Sequence, residues 1–148
     1  MSPVPPHDRR PDLAAMVVPL GRTLVANELP ILQAHDLAMW AYAVLLKLDE
    51  SPLRTQSALA QSIGADKTRI IGVLDDLEAR GLIERRPDPA DRRVRLLTLT
   101  KSGRRVRETV QSSIQRQEDT LLGHLSQTER RAFLRALQKL SELTAGPG

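Results

Sequence analysis

Apolar residues recur at helical spacing from Asp12 onward: Leu13, Met16, Val17, Leu20 and Leu24. The spacing predicts a helix to about Glu28, kinked or begun afresh at Pro19, with Pro30 interrupting the chain before ILQAHD. Asp36 is expected to cap a second helix over 37–49, LAMWAYAVLLKLD, apolar nearly all round and so buried on most sides. Glu50, Ser51 and Pro52 end it.

Thr55 then opens a short helix, TQSALAQSI, with Leu59 and Ile63 turned inward and Ala58 and Ala60 small enough for close helix approach. Gly64-Ala65 turns the chain, and Asp66 caps a helix from Lys67 to about Arg80. In that helix Ile70, Val73, Leu74 and Leu77 form one buried stripe, and Gly81 stops it. Two strands follow, LIERR and VRLLTLT, joined by the turn Pro-Asp-Pro-Ala-Asp. Thr100 caps a long helix over about 101–125, with Val106, Val110, Ile114, Leu121 and Leu125 along one face. Ser126 and Glu129 form a capping box for a last helix carrying Phe133, Leu134, Leu137 and Leu140, and the tail AGPG frays. The predicted fold is mainly α with a small β-hairpin.

Composition narrows the function. With 148 residues a single domain is expected, and with no cysteine there is neither a disulfide nor a thiolate metal site. The proline-rich start MSPVPPHDRRPD lacks the apolar core of a signal peptide, and no uncharged run approaches the ~18 apolar residues of a membrane span. A soluble, cytoplasmic chain with no membrane partner is expected, its residues 1–11 a disordered arm. The net charge is +4, yet residues 52–107 hold 13 Lys and Arg against 7 Asp and Glu, and the remainder is net acidic. A localised basic face suits a phosphate-bearing partner.

The order short helix, glycine turn, second helix, arginine-rich hairpin places that charge. Burying Ile70, Val73, Leu74 and Leu77 leaves Lys67, Thr68, Arg69, Ile71 and Gly72 on the opposite side, together with Asp75 and Asp76. This is the helix-turn-helix arrangement, whose second helix offers its N-terminal half to the major groove. Lys67 and Arg69 suit a phosphate or a guanine edge, Thr68 a phosphate, and Ile71 a thymine methyl. The hairpin then reads as a wing. Arg92 and Arg93 stand at its tip near the minor groove, and Arg85, Arg86 and Arg95 line its arms. Asp91 either bonds the turn or holds an arginine, and Asp88 serves the turn itself.

The run IGADKTRIIGVLDDLEARGLIERRPDPADRRVRLLTLTKSG resembles the MarR family of winged helix-turn-helix transcription regulators. The most telling match is the wing pattern, Asp-x-Arg at Asp91-Arg92-Arg93 followed by a strand ending at Leu99-Thr100, and the resemblance extends over about residues 13–143. It implies a winged region over 36–100 between an N-terminal dimerisation helix with its linker (12–35) and C-terminal dimerisation helices (101–145). It also implies a homodimer on a pseudo-palindromic double-stranded DNA operator, acting as a repressor. A crevice between the dimerisation helices and the DNA-binding lobe is implied too, taking a small aromatic or lipophilic effector that releases DNA. Where many members carry a polar or basic residue this chain has Gly72, which shifts base reading onto Lys67, Thr68 and Arg69.

Candidate effector contacts are Arg22, His35, Trp40 and Tyr42, with core packing the competing role for the two aromatics. Candidate dimer contacts are Leu13, Leu20, Val110, Ile114, Phe133, Leu137 and Leu140, since these stripes are long for one small lobe to cover. No cofactor is expected, and His7 and His124 have no metal-ligand spacing. An enzyme is not expected: the chain lacks a phosphate loop, a Gly-x-Ser-x-Gly elbow and a His-Glu-x-x-His pair, and Asp76 is placed to pair with Arg80. The rival reading is a winged-helix module that binds protein rather than DNA.

Overall fold

The computed structural model describes Pro3, residues 9–50 and residues 54–145. Its elements run α1 (Leu13–Ala34), α2 (Met39–Glu50), β1 (Arg54–Thr55), α3 (Gln56–Ile63), α4 (Lys67–Ala79), β2 (Ile83–Pro87), β3 (Arg95–Leu99), α5 (Lys101–Leu122) and α6 (Gln127–Thr144). The mainly helical fold with its hairpin is the expected one. Most of the N-terminal arm, Ser51-Pro52 and the final Gly-Pro-Gly lie outside the described residues.

Local chemistry sets most of the boundaries. Thr55, Asp66, Thr100 and Ser126 each accept a backbone N–H of the helix they open, and Ser126 with Glu129 completes a capping box. Gly64 and Gly81 adopt φ of 69° and 72° where α3 and α4 stop. At Gly81 the amides of Gly81 and Leu82 return to the carbonyls of Glu78 and Leu77, which satisfies the last turn of α4 before the chain reverses into β2.

The core is built around α2. Val44, Leu45 and Leu48 are fully buried and meet Leu59 of α3, Ile70, Leu74 and Leu77 of α4, Ile83, Leu97 and Leu99 of the sheet, and Val110 and Ile114 of α5. β3 is the central strand, with β2 antiparallel on one side (Ile83 opposite Leu99, Arg85 opposite Leu97) and β1 antiparallel on the other. Helix α6 buries none of its residues, although Phe133, Leu134, Leu137, Leu140 and Leu143 share its length.

Several expectations need correction. Helix α1 runs unbroken through Pro19 and Pro30 to Ala34. Each proline removes only one intrahelical bond, and packing on α2 and α5 holds the helix across both. By length and composition α1 could also cross a bilayer, although Arg22 and Glu28 within it break any uncharged run.

Asp36 does not cap α2. It has a φ of 53° and closes α1 instead, with Asp36 and Leu37 amides bonded to the Gln33 and Leu32 carbonyls. α2 starts only at Met39. β1, two residues long, is too short to leave a periodic signal, and Ala58 is exposed rather than at a helix contact. Val110 and Ile114 are already covered within the chain, so they are not available to a second copy.

One contact fixes where α5 leaves the sheet. Thr100 donates its hydroxyl to the Gly81 carbonyl at 2.7 Å and its amide to the Leu82 carbonyl at 3.1 Å. Gly103 lies so close beneath that a Cβ there would sit 2.0 Å from the Leu82 carbonyl oxygen. Backbone, unlike a side-chain tip, cannot yield, so Gly103→Ala should cost about 1–3 kcal/mol. Urea unfolding of parent and variant measures this, and an unchanged midpoint would remove the close approach from the account.

Candidate nucleic-acid interface

On α4, Asp66 accepts the Thr68 amide at 3.1 Å, and this starts the helix so that Lys67, Thr68 and Arg69 stand exposed on its first turn. Ile71 is 41% exposed, and nothing lies within 4 Å of where a Gly72 Cβ would be. Ile70, Leu74 and Leu77 are at 0% exposure on the opposite side. The helix therefore offers a wide face of cation, hydroxyl and one bare aliphatic group to solvent, with backbone open to approach at Gly72.

The wing tip is a small hydrogen-bonded device. Asp88 accepts the Ala90 amide at 2.9 Å and donates its own amide to Val94. Asp91 Oδ1 accepts both the Arg93 amide at 3.1 Å and the Arg93 Nε–H at 3.2 Å. One carboxylate thus bonds the turn and aims a guanidinium, whose side chain is still 92% exposed. Both roles weighed for Asp91 are realised together.

The arms differ from the tip. Arg85 is directed inward, where its Nη1 lies 2.7 Å from Asp75 Oδ1 and 3.6 Å from Glu78 of α4. Strand alternation explains this: Arg85 follows Ile83 by two and so shares its inner face. The pair braces the hairpin against α4, which removes Arg85 from the arm's outer charge. On the other face Arg86 pairs with Glu84 at 2.8 Å. Arg92 and Arg95 are exposed and have no ion pair among the described residues. Sequence reasoning missed the Asp75–Arg85 brace, although the period of two from Ile83 was a usable signal.

None of the four expected effector residues lines the clefts that α1 forms with α5 and α6. Arg22 is exposed on α1, and Trp40 is half-buried. His35 Nδ1 pairs with the Ile31 carbonyl at 2.9 Å. Tyr42 is part of the core, its hydroxyl pushed up to about 12 by burial first and by Glu28 and Glu118 next, with Arg107 opposing. Two clefts lie elsewhere. A narrow one between α1 and α5 is lined by Leu24, Asn27, Glu28, Ile114, Gln117, Glu118 and Leu121. It adjoins an apolar one of about 220 Å³ where Leu20 and Leu24 of α1 face Leu121 and Leu122 of α5 and Phe133 and Leu137 of α6. Burial raises the Glu28 and Glu118 carboxyls above the ordinary range, helped by Glu118 acting on the first and Asp119 on the second. Neither glutamate is among the expected site residues, because no motif or spacing in the sequence marks them.

Comparison with known proteins accords with this geometry. The MarR family model matches residues 37–94. A protein of Thauera aromatica assigned to transcriptional regulation of the hcr operon is 32% identical over 134 residues, 90% of this chain and 76% of its own length. Among solved structures, the transcriptional repressor CouR bound to a 23-mer DNA duplex superposes with a TM-score of 0.74 at 30% identity, covering 88% of this chain and 92% of CouR. The PcaV regulator of Streptomyces coelicolor, solved with its natural ligand, gives a TM-score of 0.64 at 28% identity, over 90% of this chain and 97% of PcaV. The chain belongs to the MarR family of winged helix-turn-helix transcriptional regulators.

The two raised carboxyls have a sign that can be measured. A folded-state value above the unfolded one means the folded chain holds its proton longer, so stability is greatest at or below the ordinary 4.5 and falls as pH rises through the raised value. Glu118→Gln should therefore melt at a higher temperature than the parent near neutral pH, the two curves converging on acidification. Thermal melts over a pH series check this, and a constant gap at every pH would contradict it.

Proposed function

We propose that this chain is a homodimeric, sequence-specific DNA-binding repressor that a small molecule releases from its operator. The observation that carries the DNA reading is the joint exposure, on one lobe, of the Lys67-Thr68-Arg69 helix start and of Arg93 held by Asp91. The helix start is dressed for a groove floor and its phosphates, and the wing guanidinium for the deeper potential of a narrow minor groove. CouR, similar over most of both chains, was solved on a DNA duplex, which supports the same use here. Such a protein works where the chromosome is, in the cytoplasm.

Dimerisation is supported by α6. An amphipathic helix of 18 residues that buries none of them is unstable as a solitary arm. Its Phe133, Leu137 and Leu140 stand exposed, as do Leu13, Met16 and Val17 of α1, and a twofold partner would cover both sets. Leu20 already shares a cleft with Phe133 and Leu137, so the interface is continuous across the two helices.

Effector binding rests on the narrow cleft between α1 and α5 and on PcaV having been solved with a natural ligand, the adjoining apolar cleft being the part a second copy would cover. The carboxyls of Glu28 and Glu118 make that space a poor host for an anion, so neutral lipophilic or aromatic compounds fit better than aromatic acids.

Binding sites selected from a random duplex pool provide the central test, since a chain that enriches no sequence and binds no duplex in dilute buffer cannot be this regulator. On the selected site, Arg93→Ala should lose roughly 1–3 kcal/mol of affinity, and log affinity should fall with log salt at about −0.9 per phosphate neutralised. A salt-independent contact would favour the protein-binding module instead. Leu137→Arg should yield monomers by sedimentation equilibrium, and an intact dimer would exclude α6 from the interface.

A further inference from the structure

Arg80 closes the recognition helix, yet its side chain belongs to a different contact. Its Nη1 donates to the Asp36 carbonyl at 2.8 Å and its Nη2 to the His35 carbonyl at 3.2 Å. Those oxygens sit at the end of α1, where a helix leaves carbonyls without partners and carries the negative end of its dipole. A planar guanidinium fork can meet two adjacent carbonyls at once, which a lysine ammonium cannot match. Asp76, one turn back on α4, lies 3.6 Å from the same Nη1 and orients it.

The two helices joined in this way share only α2 as a neighbour. α1 rests on α5 and α2, whereas α4 rests on α2, α3 and β2. The elbow that receives Arg80 is itself unusual, since Asp36 holds a φ of 53° that side chains seldom adopt. We propose that Arg80 is a positioning residue: by bridging the end of the recognition helix to the α1 elbow, it sets the angle of the DNA-binding lobe against the dimerisation helices. This deepens the proposed function and rests on it, because lobe angle matters only if two lobes must reach successive major grooves about 34 Å apart. A small angular spread at the elbow becomes a large spread at the recognition helix, so the residue selects operator spacing without touching DNA.

The absence of cysteine allows a clean measurement. A Thr23→Cys, Gln61→Cys chain carries one spin label on exposed α1 and one on exposed α3. Diluted with unlabelled chain, it reports the intra-chain distance by pulsed EPR whether or not dimers form. Arg80→Ala should broaden that distance distribution and weaken the selected operator at least tenfold. It should also flatten the preference among operators whose half-site spacing is changed by one base pair. Arg80→Lys should restore part of each effect. A merely structural loss would weaken all spacings equally, and that result, or an unchanged distance distribution, overturns the proposal. If the alanine variant does not fold, Arg80→Gln is read by the same criteria. A parent that binds no DNA defeats the proposed function, while the EPR arm still decides whether Arg80 fixes the lobe.

Discussion

Guanidinium groups on paired strands repel one another, and β2 and β3 with their connecting tip bring five arginines onto strands that run roughly 5 Å apart. The lobe is arranged around the disposal of that charge. Arg85 is neutralised from within by Asp75 and Glu78, Arg86 from outside by Glu84, and Arg93 is steered by Asp91 without being buried. What remains as free positive charge is at the tip, at Arg95 where β3 leaves it, and at the start of α4. The carboxylates of Asp75 and Glu78 belong to α4, so the same contacts that quiet the arm also set the wing's angle to that helix. The β2 arm uses its arginines to hold the wing, whereas the tip and Arg95 keep theirs exposed.

A second polar link continues the logic outward. Asp49, near the end of α2, lies 3.3 Å from Arg104 and 3.2 Å from Arg107 of α5. The winged lobe thus meets the terminal helices through apolar packing on α2 and through carboxylate–arginine or arginine–carbonyl contacts at two edges. Partly exposed pairs of this kind contribute only about 0.2–1 kcal/mol each, so they define an angle without freezing it.

How much of this could be read from the chain depended on distance along it. Thr55, Asp66, Thr100 and Ser126 act on amides two or three residues away, and Gly64 and Gly81 act on their own backbone, so each was legible. The helix-turn-helix and the wing followed from those caps plus a single buried stripe. Asp36 looked like a cap by the same rule, but its partners are the last carbonyls of the preceding helix, and the sequence offers no way to choose between the two directions. The prolines of α1 misled for a related reason: the local cost of a lost bond is real, and it was outweighed by α2 and α5, which lie far along the chain. Val110 and Ile114 were assigned to a partner because nothing local reveals that α1 and α2 already cover them. Leu137 and Leu140 carry the same pattern and are bare.

Release by a small molecule, as proposed, would set a condition on how the lobe is joined to the terminal helices. A small molecule shifts a two-state equilibrium only by its difference in affinity for the two states, and moving a population from mostly competent to mostly incompetent takes several kcal/mol. The lobe shares a core with the terminal helices, since Leu32 of α1 and Val110 and Ile114 of α5 pack with α2, so a ligand would have to shift that packing as well as the polar contacts at its edges. The clefts lie between α1, α5 and α6, and α1 ends at the elbow gripped by Arg80 while α5 carries the arginines that hold Asp49. A compound that separates α1 from α5 therefore acts on the two helices to which the lobe is tied. Glu28 and Glu118, whose carboxyls are raised by partial burial, line the narrow cleft where α1 meets α5, so a group entering there meets both.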